Sequence, residues 1–123
     1  MKVAFDIDDT IWKIDRKHKI QVPDYDLIQV LRWFANNGDE VFVWSAGGQD
    51  YAQTIVDKLG LTDLVEVIPK ISSAKILEKR YEGMDIAFDD CETNLAKVDQ
   101  RVKREDTGLV GNKIGPTNDL DNT

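Results

Sequence analysis

The sequence predicts an α/β domain, a three-layer sandwich built on a mostly parallel sheet. Three observations lead there. Short runs of continuous apolar residues suit strands buried on both faces, rather than the alternating pattern of a half-exposed strand. Other stretches carry apolar residues at i, i+3, i+4 and i+7, the period of an amphipathic helix. The two kinds of segment alternate along the chain, which is the mark of parallel crossovers. With 123 residues the chain has room for one core and little more.

The elements follow in order. Lys2 to Ile7 reads as the first strand, with Val3-Ala4-Phe5 as its apolar centre. Residues 11–22 are mixed, carry Lys13, Arg16, Lys17 and Lys19, and read as a loop or small hairpin. Pro23 and Asp24 open a helix whose apolar face is Leu27, Val30, Leu31 and Phe34, and Gly38 ends it. Val41 to Trp44 is the second strand and Ser45-Ala46-Gly47-Gly48 a tight turn. A second helix presents Ala52, Ile55, Val56 and Leu59 and stops at Gly60. Leu64 to Ile68 is the third strand, closed by Pro69, and Ser72 or Ser73 caps a third helix running to about Tyr81. Met84 to Phe88 is the fourth strand and leads into Asp89-Asp90. A short helix is expected over Glu92 to Val98, then a weak edge strand near Leu109-Val110 and a frayed end. Residues 1–98 are read as the core, with 11–22 as a flap loop, and 99–123 as a partly flexible C-terminal extension. No internal repeat is visible, and no segment is long enough for a cap domain.

Composition narrows the classes. Hydrophobic residues at 41% and charged residues at 32% fit a soluble globular protein rather than a disordered one. The formal charge of −7 argues against general nucleic-acid binding. The single cysteine, Cys91, can form no internal disulfide and has no second cysteine with which to hold zinc. No apolar run approaches the roughly 20 residues of a membrane span, and the chain opens directly on Met-Lys and a strand. A cytoplasmic location and a monomer or small homo-oligomer are the expectation.

Right-handed crossovers place all strand C-termini at one edge of such a sheet, where ligands bind. The residues just after each strand should therefore meet. After strand one come Asp6, Asp8 and Thr10; after strand two, Ser45 and Ala46; after strand three, Lys70; after strand four, Asp89 and Asp90. Carboxylates this crowded need a cation. Hard oxygen donors without histidine select Mg²⁺ or Ca²⁺ over zinc. A hydroxyl, an ammonium and the backbone N–H groups of a small-residue turn suit the oxygens of a phosphate. Asp6, last in its strand, faces this space, and Asp8 enters it from another side. One can attack phosphorus in line while the other handles the proton of the leaving oxygen.

Asp6-x-Asp8-x-Thr10 after an apolar strand, Ser45 after a second, a downstream lysine and Asp89-Asp90 after a fourth resemble the haloacid dehalogenase (HAD) superfamily of phosphohydrolases. The likeness covers about residues 1–98 and implies a Rossmann-like sheet of that type. It further implies Asp6 as nucleophile and metal ligand, Asp8 as acid/base with its backbone carbonyl on Mg²⁺, and Thr10 as support for the motif loop. Ser45 would bind the transferring phosphoryl group, and the lysine would neutralise the aspartyl-phosphate. Asp90 would be the direct metal ligand and Asp89 its neighbour. An acid at Asp8 favours phosphoryl transfer over dehalogenation. Trp44-Ser45-Ala46 with Tyr51-Ala52, and Asp89-Asp90 with Asn94, are similar to the small C-terminal-domain phosphatases; Asp8-Asp9-Thr10-Ile11-Trp12 is similar to the magnesium-dependent phosphatases.

Plainer readings stand beside these. Lys75, inside the third helix, rivals Lys70, although direct succession to strand three favours Lys70. Ser45 can be a turn residue, and Asp89-Asp90 can cap a helix. Asp9 and His18 read as solvent-facing, Cys91 as a small buried residue, Asn94 as structural, and Trp12 and Trp44 as core or site wall. The basic residues of 11–22 either meet an anionic substrate or form a solvated loop. An open site suits a phosphoprotein, a nucleotide or nucleic-acid end, or a bulky sugar phosphate. A phosphotransferase using the same intermediate and a silent binding module are the alternatives. A receiver domain would carry its phosphorylated aspartate after a later strand.

Overall fold

The computed structural model describes residues 1–70, 83–91, 93 and 95–103. Along them run β1 (Lys2–Asp6), β2 (Trp12–Asp15), β3 (Ile20–Pro23), α1 (Tyr25–Asn36), β4 (Glu40–Trp44), α2 (Gln49–Lys58), β5 (Glu66–Val67), β6 (Ile86–Asp89) and β7 (Val98–Arg101). Five strands form one sheet in the order β5-β4-β1-β6-β7, and every neighbouring pair is parallel. The α/β class holds. No helix among the described residues is long and apolar enough to cross a membrane.

The continuous apolar runs have a simple cause. Side chains alternate between the two faces of a strand, and here both faces are covered. Val3, Phe5, Val41 and Val43 pack with Ile28, Leu31 and Phe34 of α1 and with Ala52, Ile55 and Val56 of α2. Ala4, Trp44 and Ala87 face the other way, against Ile68, Met84 and Leu95. Phe5 and Phe88 stack with ring centres 4.6 Å apart, and Phe34 closes on them at 6.4 and 6.0 Å. Truncating Phe5 to alanine would cost about 3–5 kcal/mol, because this tightly packed triplet cannot collapse into the void.

Asp24 caps α1 as its position predicts, its carboxylate accepting the Leu27 N–H at 3.0 Å. The buried face differs from the expected one: Ile28 is in and Val30 is exposed. Leu27, Ile28, Val30 and Leu31 make an apolar arc wider than the sheet can cover, so the sheet selects part of it. Gly38, at φ +85°, supplies the left-handed turn after the helix.

Three other expectations need correction. The third strand shrinks to Glu66–Val67, because the Leu64 N–H is taken up by the Leu61 carbonyl in a turn. The fourth strand begins at Ile86 and includes Asp89. The helix over 92–98 is not formed: residues 95–97 bend and Val98 opens β7, parallel to β6. Asp99 accepts the Thr93 N–H at 3.1 Å and its hydroxyl at 2.6 Å, and such side-chain closure competes with a helix. The sheet thus continues through Arg101. The expected helix over 72–81, Lys75, Asn94 and the strand at 109–110 lie outside the described residues.

Residues 11–22 resolve as a hairpin, β2 with β3, held at its base by the Asp24 N–H on the Ile11 carbonyl at 2.9 Å. Its tip is tied inside: buried Asp15 accepts both the backbone N–H of His18 at 3.1 Å and its Nδ1 at 2.8 Å.

Candidate functional site

Register brings the first two carboxylates together. Ala4 pairs with Ala87 and Phe5 with Phe88 across β1 and β6. One residue further along, Asp6 and Asp89 stand side by side at the C-terminal edge, both buried. This is also where the sheet reverses direction: β4 and β5 extend from one side of β1, β6 and β7 from the other. Such a switch point is the ligand crevice of an open parallel sheet.

Two adjacent buried carboxylates repel each other, and Lys70 answers them. Its Nζ donates to Asp89 Oδ2 at 2.8 Å and lies 3.5 Å from Asp6 Oδ1. The other Asp89 oxygen accepts the Cys91 N–H at 3.0 Å. Asp89 is thereby fixed on both sides, and half-buried Asp90 is electrostatically tied to Asp89 and Asp6. The Thr10 hydroxyl lies 3.5 Å from Asp6 Oδ2, beneath the candidate nucleophile.

β4 contributes the next loop. Asp6 pairs with Trp44, so Ser45 follows directly beside the cluster. Ser45 is buried, and its Oγ accepts the Gly47 N–H at 3.0 Å. Ala46 is exposed in the same turn, and α2 begins behind it with no side-chain hydrogen bond at its N-cap, Gly48. Helix-terminal N–H groups left open in this way favour an anion. Asp8 is turned toward α2, where the Tyr51 hydroxyl donates to its Oδ1 at 2.5 Å.

Charge is unevenly balanced here. Burial, then the charge of Asp89, push Asp6 up to about 8, against the pull of Lys70. Burial and the hydrogen bond with Asp89 also raise Asp90. Burial works against the Lys70 ammonium, but the Asp89 hydrogen bond and the charges of Asp6 and Asp89 hold it above its ordinary value. Burial and the bond to Asp8 push the Tyr51 phenol up. Cys91 is raised by Asp90 and then by burial, so it remains a thiol.

The donor set fits a hard divalent cation. Asp89, Asp90 and Cys91 each bring a ligand atom within 4.8 Å of the others. With Asp89 engaged by Lys70 and Cys91 protonated, Asp90 and Asp6 are the carboxylates that could hold the ion. An additional positive charge is what the carboxylate excess calls for.

Of the residues singled out from sequence, Asp6, Thr10, Lys70, Asp89 and Asp90 come together, with Ser45 and Ala46 on the adjoining turn. Two readings change. Cys91 is exposed rather than buried, and Asp9 is half-buried at φ +60°, with its carboxylate on Arg16 at 3.1 Å. Two contributors had no assigned role: Tyr51, and Arg101, whose Nε donates to the Asp90 carbonyl at 3.1 Å. Tyr51 carried a signal, since it stands in the first turn of the helix after Ser45. Comparison with protein-family models, curated proteins and solved structures finds no match to the chain.

Proposed function

We propose that this chain is a Mg²⁺-dependent hydrolase of phosphate monoesters that works through an aspartyl-phosphate on Asp6. The observation that carries the reading is the Lys70 ammonium set between buried Asp6 and Asp89 at the switch point of a parallel sheet. A purely structural sheet edge has no use for crowded, buried carboxylates, whose desolvation opposes folding. The reading includes a Rossmann-like, three-layer arrangement of the HAD type without a cap domain.

Asp6, Asp90 and the Asp8 carbonyl would hold the ion, which when bound would neutralise the carboxylates and the phosphate together. Asp6 attacks phosphorus as the bond to the leaving oxygen breaks. Asp8 gives that oxygen a proton, then takes one from the water that cleaves the aspartyl-phosphate. Ser45, Ala46 of the same turn and Lys70 bind the phosphoryl oxygens, and Thr10 steadies Asp6. The hairpin begins at Trp12, four residues after Asp8, and its exposed Arg16, Lys17 and Lys19 would meet the rest of a bulky anionic substrate.

The test is hydrolysis of p-nitrophenyl phosphate by wild type and Asp6→Asn, each with Mg²⁺ and with EDTA. Turnover that needs both Mg²⁺ and Asp6 is expected. If wild type is inactive and also fails to bind beryllofluoride in the presence of Mg²⁺, the catalytic reading is lost.

A further inference from the structure

Tyr51 lies in the first turn of α2 and touches both loops that border the site. Its hydroxyl donates to Asp8 Oδ1 across 43 positions of sequence. Its ring lies against the Ser45 turn: a Cβ on Gly47 would come within 3.2 Å of the ring and 3.3 Å of Ser45 Oγ. Glycine at 47 is what lets the ring approach so closely. The same Gly47 donates its N–H to Ser45 Oγ. Packing alone needs only the ring; the hydroxyl has a separate partner, and that partner is the carboxylate assigned to proton transfer.

A carboxylate on a loop can rotate about two torsions. Proton transfer requires one oxygen to stay within hydrogen-bond reach of the leaving group. A phenol on a wedged ring has little freedom of its own, so a short bond to Oδ1 fixes where Oδ2 points.

We propose that Tyr51 is a positioning residue for Asp8, holding Oδ1 so that Oδ2 meets the leaving-group oxygen. The assignment rests on the phosphohydrolase reading above. In the first step the bond from Asp6 to phosphorus forms while the bond from phosphorus to the leaving oxygen breaks. The electron pair of the broken bond goes to that oxygen, which takes the proton of Asp8 Oδ2. In the second step water attacks phosphorus, its proton goes to Asp8 Oδ2, and the electron pair of the Asp6–phosphorus bond returns to Asp6. Tyr51 keeps its own proton throughout and changes neither balance.

The leaving group provides the readout. p-Nitrophenolate departs with little help from a proton, whereas phenolate needs one. Tyr51→Phe keeps the ring beside Gly47 and removes only the hydroxyl. The ratio of kcat/KM for p-nitrophenyl phosphate to kcat/KM for phenyl phosphate, which reports the step that expels the leaving group, should rise about tenfold in this variant, a part of the full effect of a general acid. KM should move less than about twofold. In an Asp8→Asn background the same substitution should leave the ratio where Asp8→Asn alone puts it, because the two changes remove one function. Far-UV circular dichroism and melting of Tyr51→Phe check that the fold is kept. Equal losses of kcat/KM on both substrates, or the same additional loss in the Asp8→Asn background, would overturn the role of Tyr51 while leaving an Asp6-dependent enzyme in place. Wild-type turnover independent of Asp6 and Mg²⁺ would instead overturn the phosphohydrolase reading, and this role with it.

Discussion

The two edges of the central sheet carry the same kinds of charge and treat them in opposite ways. At the N-terminal edge, Asp85 precedes β6, accepts the Lys2 N–H at 2.8 Å and lies 3.5 Å from Lys97. Asp39 precedes β4 and pairs with the Met1 ammonium at 2.8 Å. Each carboxylate there has its own cation and some contact with water. The Lys2 N–H holds Asp85 below the ordinary carboxylate range. At the C-terminal edge buried Asp6 and Asp89, with half-buried Asp90 beside them, share among the described residues the ammonium of Lys70, and Asp6 is pushed up to about 8. Four residues along β6 separate Asp85 from Asp89. An acidic group that ends a strand therefore says little about function until its burial and its share of positive charge are known.

The strongest way to break the comparison is to remove the shared cation. Lys70→Met should lower kcat about 100-fold or more, the scale of losing one group that meets developing charge in a water-poor site. It should also lower Tm in EDTA at pH 8, since Asp6 and Asp89 would lose the ammonium that lies between them. A variant that melts lower yet turns over normally would leave Lys70 as a structural ion-pair residue only.

A second test sets one edge directly against the other. The folded-state value of Asp6 lies above its unfolded 3.8, so the folded protein holds the extra proton between about 4 and about 8. Without metal, stability should therefore fall as pH rises through that window. Asp85 is depressed, so its contribution is present above 3.8 and is lost as pH falls through its lowered value. At pH 8 in EDTA, Asp6→Asn should raise Tm by roughly 5 °C and Asp85→Asn should lower it by less. Mg²⁺ should raise the Tm of wild type and leave Asp6→Asn nearly unmoved, by mass action on the folded state. The same sign for both substitutions in EDTA would erase the distinction between the edges.

How much of this was legible in the sequence depends on the range of the forces involved. Val3-Ala4-Phe5 and Val41 to Trp44 announced buried parallel strands because burial on both faces leaves a continuous apolar mark. Asp24 announced its helix because a cap is a local interaction. Asp6, Ser45, Lys70 and Asp89 were found together because a parallel sheet gathers strand ends at one edge, so topology did the work of distance. What was missed was decided by contacts far apart or by competition. Tyr51 meets Asp8 across 43 positions, which no local pattern records. The helix over 92–98 lost to the Thr93–Asp99 hydrogen bonds and to the pairing of β7 with β6, both made with partners outside the segment's own helical register. Val30 and Ile28 both fit a helical stripe, and only the curvature of the sheet beneath could choose between them.

The hairpin supplies the sharpest refinement, with the smallest expected effect. Asp15 is as buried as Asp6, yet it is held low, first by the His18 side chain and also by the His18 backbone N–H. Burial alone therefore does not separate the two kinds of carboxylate; the supply of donors does. A carboxylate can only accept, so His18 Nδ1 faces it as a donor. His18→Ala removes that bond and keeps the backbone one. Asp15 is lowered in the folded state, so its contribution is present above the ordinary aspartate range and disappears as the carboxylate takes up its proton on acidification. The variant should melt about 3 °C below wild type near pH 6, and the gap should narrow as the pH falls below the ordinary aspartate value of 3.8. With Mg²⁺ present its kcat on p-nitrophenyl phosphate should stay within about twofold of wild type, because the bond orders the hairpin tip and not the carboxylates that hold phosphate. A gap that does not narrow on acidification below 3.8 would show that His18 acts by packing and that its bond to Asp15 does not hold the carboxylate low.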